Sequence, residues 1–293
     1  MTNATDWTAR LAADGYAIIP EVIDRDTITS LASDLAPIFD ATPACEGDFY
    51  GRRTKRFGRL LLRSAQTQAL VRHPLMLQII DATLRPWCDR FDLNLTQGVE
   101  IGPGALAQYP HRDQDMWGGA KGEIEYLVNV IWPLTRFTEA NGATVIWPGS
   151  HRRQAEASLP LEDAVAAEMQ PGDALLFLGS TLHGGGANRT RLVRRGIIIS
   201  YSLGWLKPFE NPWLAYPPEV ARDFDPELAA LAGYAIHRPN LGNFEGQSPA
   251  VLLGDDLPAH LAAVDALRSD QTAALGDYVA GQTGEAAREN GSV

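Results

Sequence analysis

Apolar residues recur three or four positions apart in two stretches of the first third of the chain. That spacing places them on one face of a helix. The two sets are Ile28, Leu31, Leu35 and Ile38, and Met76, Ile79, Ile80 and Leu84. Asp24 or Asp26 can cap the start of the first helix. We therefore predict that residues 1–92 are mainly helical.

Between residues 93 and 206 the pattern changes to short apolar or alternating runs that are rich in β-branched residues. The runs are LNLTQGVEI, GALAQY, IEYLVNVIWPL, ATVIW, ALLFLG and RGIIISYSL, and Gly-Pro, Asn-Gly and Pro-Gly sequences separate several of them. Short strands bounded by turn residues are typical of antiparallel sandwiches and barrels. We predict a double-stranded β-helix, that is, a cupin-like jelly roll.

After residue 207 the chain has proline-rich loops, followed by a set of apolar residues at helical spacing. This set is Leu257, Leu261, Val264 and Leu267, and it predicts a helix that packs against the sheet. Residues 279–293 are small and polar, and we expect a frayed tail there. The whole pattern predicts one domain over residues 1–293, mainly β with flanking helices, in which 207–293 form a helical C-terminal part.

Composition and charge reduce the number of function classes that fit this chain. The 293 residues are 45% hydrophobic and 21% charged, which is typical of a globular enzyme. The net charge of -11 repels phosphate backbones, so we expect no nucleic-acid partner. No apolar run approaches the roughly 18 residues of a membrane span. With two cysteines and no C-x-x-C pair, a cytoplasmic protein with free thiols is expected, as a monomer or a homodimer.

Candidate metal ligands occur at His111, Asp113 and His183. In an extended strand the side chains of His111 and Asp113 share a face, so both can reach one point. His183 follows the apolar run ALLFLG after three residues and precedes three glycines. Two histidines and one carboxylate leave open coordination positions, as in non-haem Fe(II) oxygenases. Asp115 shares the same alternation and is the rival carboxylate.

Several segments resemble the phytanoyl-CoA dioxygenase (PhyH) family of Fe(II)/2-oxoglutarate-dependent oxygenases. The similar segments are DGYAIIPEVID, the HRD of residues 111–113, NGATVIWPGSH and LHGGGANRTRLVRRGIIISYSLGWL. They span most of residues 14–206. Further stretches, GRRTKRFGRLLLRSAQTQALVRHPL, GWLKPFEN and YAIHRPNLGNFEGQSP, look most like the subgroup that oxidises secondary metabolites.

The resemblance implies a role for particular residues of this chain. It implies iron held by His111, Asp113 and His183, and 2-oxoglutarate whose far carboxylate is bound by Arg194, with Arg195 as the alternative. A planar guanidinium suits a carboxylate because it can donate two parallel hydrogen bonds. Thr144 and Gln108 resemble residues that contact the same co-substrate, although strict alternation along a strand places Gln108 on the face opposite His111.

The reaction implied by the resemblance is hydroxylation, or desaturation, of an unactivated C–H bond in a small organic molecule. It consumes O2 and 2-oxoglutarate and releases succinate and CO2. Two alternatives stay open at this point. One is a cupin-like module that binds a metal or small ligand without turnover. The other is a metal-assisted hydrolase, for which Asp115, Glu123 or Glu125 would have to act as general base.

Candidate substrate contacts are aromatic residues near the ligand segments and one arginine. The aromatic candidates are Tyr109, Trp117, Trp132 and Trp205, for which packing in the core is the alternative role. Arg56 belongs to a basic stretch, residues 52–63, that stands out in an acidic chain and could meet an anionic substrate. A solvated, salt-bridged face explains that stretch equally well.

Overall fold

A computed structural model describes residues 3–156 and 158–290 of the chain, with the backbone alone described for 284–290. The helices are α1 (Ala4–Asp14), α2 (Arg25–Ala41), α3 (Ala65–Val71), α4 (Pro74–Leu84), α5 (Pro212–Ala215), α6 (Pro218–Ala221), α7 (Pro226–Leu231) and α8 (Ser269–Asn290). The strands are β1 (Tyr16–Ile19), β2 (Thr54–Phe57), β3 (Phe91–Ile101), β4 (Leu127–Pro133), β5 (Thr144–Ile146), β6 (Val165–Ala166), β7 (Ala174–Leu178), β8 (His183–Gly185) and β9 (Arg194–Leu203).

The strands form two antiparallel sheets. The larger sheet has the order β1-β7-β4-β9-β3-β2, and the smaller one has the order β6-β5-β8. Every strand pair within them is antiparallel. The predicted fold class, mainly β with flanking helices, is therefore confirmed.

The two predicted N-terminal helices are present and cover one face of the larger sheet. Helix α2 begins after Asp24, whose side chain accepts a hydrogen bond from the Thr27 backbone at 2.8 Å. Its buried face ends in Phe39, while the predicted Ile38 is only half-buried. All four predicted apolar positions of α4 are buried. These helices and the sheet form the main hydrophobic core.

Alternation along the central strands β4 and β9 separates this core from the other face of the sheet. Because side chains of a strand point to opposite faces in turn, Val130 and Trp132 of β4 and Ile197 and Ile199 of β9 enter the core beneath the helices. The intervening residues, such as Ile131 and Ile198, face the smaller sheet. The space between the two sheets is where the candidate site lies.

One prediction for the C-terminal part and one for the strands are wrong. Residues 257–267 form no helix, because their backbone pairs elsewhere: Val264 N donates to Gly246 O, and Gln247 Nε2 donates to Ala262 O. The tail, for which fraying is expected, belongs to α8 as far as Asn290, and residues 291–293 lie outside the described residues. The run GALAQY, 104–109, is not a strand.

Two further expectations concern free thiols and membrane spans. Cys45 and Cys88 are both half-buried and free. Over the described parts of the chain, none of the helices combines the length and apolar character needed to cross a membrane.

The core packing of α2 can be tested with Leu35→Ala. Leu35 is completely buried, so the substitution leaves a cavity and should lower the free energy of unfolding by about 2–5 kcal/mol. Urea denaturation measures this change. Ser30→Ala on the exposed face of the same helix is the control, with an expected change within about 0.5 kcal/mol. Equal effects of the two substitutions would contradict the packing described for α2.

Candidate active site

His111, Asp113 and His183 meet at one point. The imidazole Nε2 atoms of His111 and His183 lie 3.4 Å and 3.6 Å from the two carboxylate oxygens of Asp113. Within the described part of the chain this is the only group of three or more His, Cys, Asp or Glu residues whose ligand atoms converge closely enough to hold a metal ion. The structure thus brings together the three residues that the sequence singled out.

Both histidines present the same ring nitrogen to this point. His111 Nδ1 is 2.9 Å from the Tyr109 carbonyl oxygen, and His183 Nδ1 is 3.0 Å from the Thr181 carbonyl oxygen. A carbonyl oxygen can only accept, so each Nδ1 carries the proton and donates. In the neutral form of either ring the lone pair is therefore on Nε2, on the side of Asp113, which is the tautomer that a metal ligand requires.

The backbone holds the two histidines side by side. His111 N donates to His183 O at 2.9 Å, and His183 N donates to His111 O at 3.0 Å. The expectation that His111 and Asp113 lie on one extended strand is wrong, because Asp113 begins a 3-10 turn that runs to Met116. Its carboxylate reaches the histidines because the chain turns after Arg112, and Gln114 N then donates to Gly179 O.

The protonation states of Asp113 and His183 are those in which the two side chains can bind a metal cation. Burial alone would raise the pKa of Asp113. The nearby His183 and His111 and the hydrogen bond from Asn129 outweigh burial and lower the pKa to about 2. Burial lowers the pKa of His183 to about 4. Near neutral pH the cluster therefore offers an ionised carboxylate and a neutral His183 ring, the forms that bind a metal.

A large cavity between the two sheets has the cluster in its wall. Its volume is about 770 Å³, within the range of small-molecule sites. Most of the lining surface is apolar, although polar and charged side chains lie among the apolar ones at many positions. The apolar lining includes Phe49, Tyr50, Leu106, Met116, Ile198 and Phe209.

Arg194 faces this cavity and Arg195 does not. The two are adjacent on β9 and so point to opposite faces. Arg194 is 4% exposed, and its Nη2 donates to Thr144 Oγ1 at 3.2 Å. Arg195 instead bonds Glu100 at 2.6 Å and Asp40 at 2.8 Å on the helix-covered face.

Arg194 is a buried cation without a carboxylate partner among the described residues. Burial, together with the charge of Arg56, lowers its pKa to about 9, so it remains charged at neutral pH. The guanidinium lies 3.6 Å from the centroid of the Phe137 ring, which supports it from one side. A buried guanidinium of this kind has the charge and the hydrogen-bond donors that suit an anion.

Gln108 also reaches the cavity, against the expectation from strand parity. Its backbone N donates to Gly185 O at 2.8 Å, and its side-chain Oε1 accepts from Gly185 N at 3.2 Å. Because residues around Gln108 are not a regular strand, alternation does not decide their orientation. Gln108, Thr144 and Arg194 therefore line one cavity with the metal-ligand cluster.

Of the five candidate substrate residues, Arg56 alone is part of the cavity lining. Its Nη1 donates to Gln97 Oε1 at 2.8 Å, and its guanidinium stacks over the Tyr50 ring at 5.0 Å. Other residues of the basic stretch have ordinary partners: Arg52 pairs with Asp48, and Lys55 donates to the Phe39 carbonyl oxygen.

The structure places all four aromatic candidates outside the cavity lining, so their predicted contact with substrate is wrong. Trp132 is fully buried in the main core, because its position on β4 points it toward the helices. Tyr109 is 70% exposed, and only its carbonyl oxygen touches the site, through His111. Trp117 and Trp205 both stack against Tyr126 outside the cavity.

The alternative carboxylates do not join the cluster. Asp115 pairs with Lys121 at 3.2 Å, which leaves Asp113 as the carboxylate at the histidines. Glu123 is exposed. Glu125 accepts hydrogen bonds from Ser180 and lies outside the cavity lining. Of these three alternatives only Asp115 lines the cavity, and its carboxylate pairs with Lys121 instead of joining the histidines.

Three residues of the site were missed at the sequence level. Asn129 Nδ2 donates to Asp113 Oδ2 at 2.9 Å, the Phe49 ring is 4.9 Å from the His111 ring, and Phe137 supports Arg194. Asn129 had a usable signal, since it is the one polar residue in the buried run LVNVIWP of β4. Phe49 lies in an irregular loop, where no periodic pattern indicates its orientation.

Comparisons with known proteins agree with this geometry. The family model "Phytanoyl-CoA dioxygenase (PhyH)" matches residues 11–196. Dioxygenase FrzG of Cladobotryum sp is 33% identical over 238 residues, which cover 72% of this chain and 76% of that protein. Dioxygenase aneA of Aspergillus aculeatus is 32% identical over 243 residues, covering 78% of this chain and 80% of that protein.

A solved structure shares the fold. It is the epimerase SnoN in complex with Fe3+, alpha ketoglutarate and nogalamycin RO, with a TM-score of 0.56 and 18% identity, covering 69% of this chain and 84% of that one. The predicted fold class and the predicted class of enzyme, a dioxygenase, are confirmed by these matches. Because the family model covers more than half of the chain and the relatives exceed 30% identity, the chain belongs to the phytanoyl-CoA dioxygenase family.

Proposed function

We propose that this dioxygenase uses Fe(II) and 2-oxoglutarate to hydroxylate a C–H bond of a largely apolar small molecule. The observation that carries the proposal is one cavity that contains both the His111, Asp113 and His183 cluster and the unpaired cation of Arg194. SnoN, which shares the fold, was solved with Fe3+ and alpha ketoglutarate. A passive binding module would have no use for a buried guanidinium beside its metal ligands.

The donor atoms fit Fe(II). Two imidazole Nε2 atoms and one carboxylate form the ligand set that leaves coordination positions open to small molecules. Bound iron, with 2-oxoglutarate and O2, supplies the oxidising chemistry and leaves succinate and CO2 as co-products. The chain's own contribution is to hold these ligands in place. Asn129 does part of this, because its hydrogen bond to Asp113 Oδ2 restricts rotation of the carboxylate.

The co-substrate's far carboxylate fits Arg194 and Thr144. The guanidinium and the hydroxyl are hydrogen-bonded to each other, so both point into the same part of the cavity. Phe137 holds the guanidinium plane from one side, which leaves its edge available to a carboxylate. Gln108, which also lines this wall, can bind a further polar atom of the co-substrate.

The remaining volume fits a mostly apolar substrate. Phe49, Tyr50, Met116 and Phe209 provide large apolar surfaces, which bind hydrocarbon by excluding water. Arg56 and Gln97 form a polar patch in the same cavity and can donate hydrogen bonds to an oxygen atom of the substrate or co-substrate. A substrate with a hydrocarbon framework and an oxygen-containing group matches both the apolar surfaces and the polar patch. Whether such a substrate is hydroxylated or desaturated depends on how it lies against the metal.

The setting we propose is the cytoplasm, where a reducing environment keeps Cys45 and Cys88 as thiols.

Replacing Asp113 by Ala tests the metal site. The change removes the anionic ligand, so Fe(II) affinity should fall more than about 100-fold, and Fe(II)-dependent succinate formation should be lost. Anaerobic addition of Fe(II) and 2-oxoglutarate, followed by the weak visible charge-transfer band of the chelate, measures binding. The matched control is Asp115→Ala, which removes the neighbouring carboxylate and should leave the band unchanged. A wild-type protein without a band, or an unaltered band in Asp113→Ala, would contradict the proposal.

Arg194→Ala tests the co-substrate site. Loss of a buried charged partner costs at least ~2 kcal/mol, so the Kd for 2-oxoglutarate should rise at least about 30-fold while Fe(II) binding is retained. Titration of 2-oxoglutarate against the visible band measures this Kd. Arg195→Ala is the control, since its side chain pairs with Glu100 and Asp40 on the other face, and its Kd should stay near the wild-type value. The assignment of Arg194 fails if the two variants bind 2-oxoglutarate equally well.

A further inference from the structure

The turn that leads into His183 is attached to the residues on both sides of Asp113. Arg112 Nε donates to Ser180 O at 3.0 Å, and Gln114 N donates to Gly179 O at 3.1 Å. Asp113 lies between these two donors, and His183 follows Ser180 by three residues. The position of Asp113 relative to His183 therefore depends on this turn.

Arg112 has an unusual environment for a charged side chain. It is 6% exposed, although it lies between two candidate metal ligands. Its guanidinium donates to four carbonyl oxygens, those of Ser180 at 3.0 Å, Glu156 at 3.0 Å, Arg153 at 3.2 Å and Ser150 at 3.4 Å. No ion pair with a carboxylate is formed by Arg112 within the described residues. A buried charge solvated entirely by backbone groups fixes those groups tightly, because moving any of them exposes an unsatisfied donor.

Glu125 holds the same turn from the other side. Its Oε1 accepts from Ser180 N at 3.1 Å, and its Oε2 accepts from Ser180 Oγ at 2.5 Å. Ser180 is completely buried. The residue is thus held between a carboxylate that binds its N–H and hydroxyl and a guanidinium that binds its carbonyl oxygen. The charged guanidinium makes the stronger class of hydrogen bond, and with the Glu125 contacts on the other side the turn is fixed in two directions.

We propose that Glu125, Ser180 and Arg112 are positioning residues that set the separation of Asp113 and His183 for metal binding. The inference rests on the proposed function of the cluster. Ser180 and Glu125 lie outside the cavity lining, so they act through the backbone of the turn and not by contact with substrate or co-substrate. Metal ligands must lie within about 0.2 Å of their preferred distances. A small displacement of the turn therefore weakens the site.

Two variants test the proposal. Ser180→Ala removes the hydroxyl contact, and Glu125→Gln keeps the side-chain volume but leaves one carbonyl acceptor in place of two carboxylate oxygens. We expect each to weaken Fe(II) binding by about 10–100-fold, as is typical of residues that orient metal ligands. The Kd of Fe(II) is measured anaerobically with saturating 2-oxoglutarate, from the visible charge-transfer band. Urea unfolding of the metal-free protein gives the stability of each variant.

Ser64→Ala is the matched control. The Ser64 hydroxyl also donates to a carboxylate, that of Asp34 at 2.6 Å, and Ser64 is 6% exposed, but it is not part of the cavity lining. We expect Ser64→Ala to lose stability to a similar extent as Ser180→Ala while it keeps the wild-type Kd for Fe(II). This difference separates positioning of the ligands from a general loss of folding.

The outcomes are distinguishable. If Ser180→Ala and Glu125→Gln both bind Fe(II) within about twofold of the wild type, the three residues support the fold alone and the inference is wrong. The same holds if Ser64→Ala weakens Fe(II) binding as much as Ser180→Ala. A wild-type protein that gives no band at all contradicts the proposed function and the inference with it.

Discussion

Two backbone hydrogen bonds, between His111 and His183, are the interaction on which the rest of the site depends. They join a segment that precedes β4 to the strand β8, which belongs to the smaller sheet. Because each residue donates to and accepts from the other, the two side chains are held as neighbours whatever else binds. The cavity, the turn at Ser180 and the position of Asp113 are all arranged around this one pairing. Backbone groups are a dependable support because a buried N–H or C=O left unpaired costs free energy.

The two faces of the larger sheet lie in different environments, because side chains along each strand point to opposite faces in turn. On β9, Arg195 and Ile197 contact the helices, while Arg194 and Ile198 face the cavity. The same strand therefore stabilises the core and presents a cation to the site. A shift of register by one residue would exchange the two arginines, placing Arg195 in the cavity and burying Arg194 beneath α2. The pairing of β9 with both β3 and β4 fixes the register against such a shift.

Sequence patterns predicted most of the regular fold and the centre of the site, for identifiable reasons. The buried faces of α2 and α4 and the strands β3, β4, β7 and β9 of the larger sheet follow periodicities that come from local geometry, and His111, Asp113 and His183 were recognisable as a motif. Residues 257–267 have a helical pattern, but long-range hydrogen bonds to the loop around Gly246 override it. Trp132 and Tyr109 were misplaced because proximity in sequence does not determine which face a side chain takes. Asn129 and Phe49 depend on contacts between distant segments, which no local pattern encodes.

The buried cation in the wall of the cavity has a consequence for the stability of the whole molecule. Without an anion, the folded chain carries the charge of Arg194 in a buried place, against Thr144 and Phe137, whereas water solvates that charge in the unfolded chain. An anion that binds there stabilises only the folded state. At a concentration one hundred times its Kd it adds about 2.7 kcal/mol, a large share of the stability of an ordinary domain. The lifetime of the folded protein is in this way linked to the supply of the small anion that it consumes.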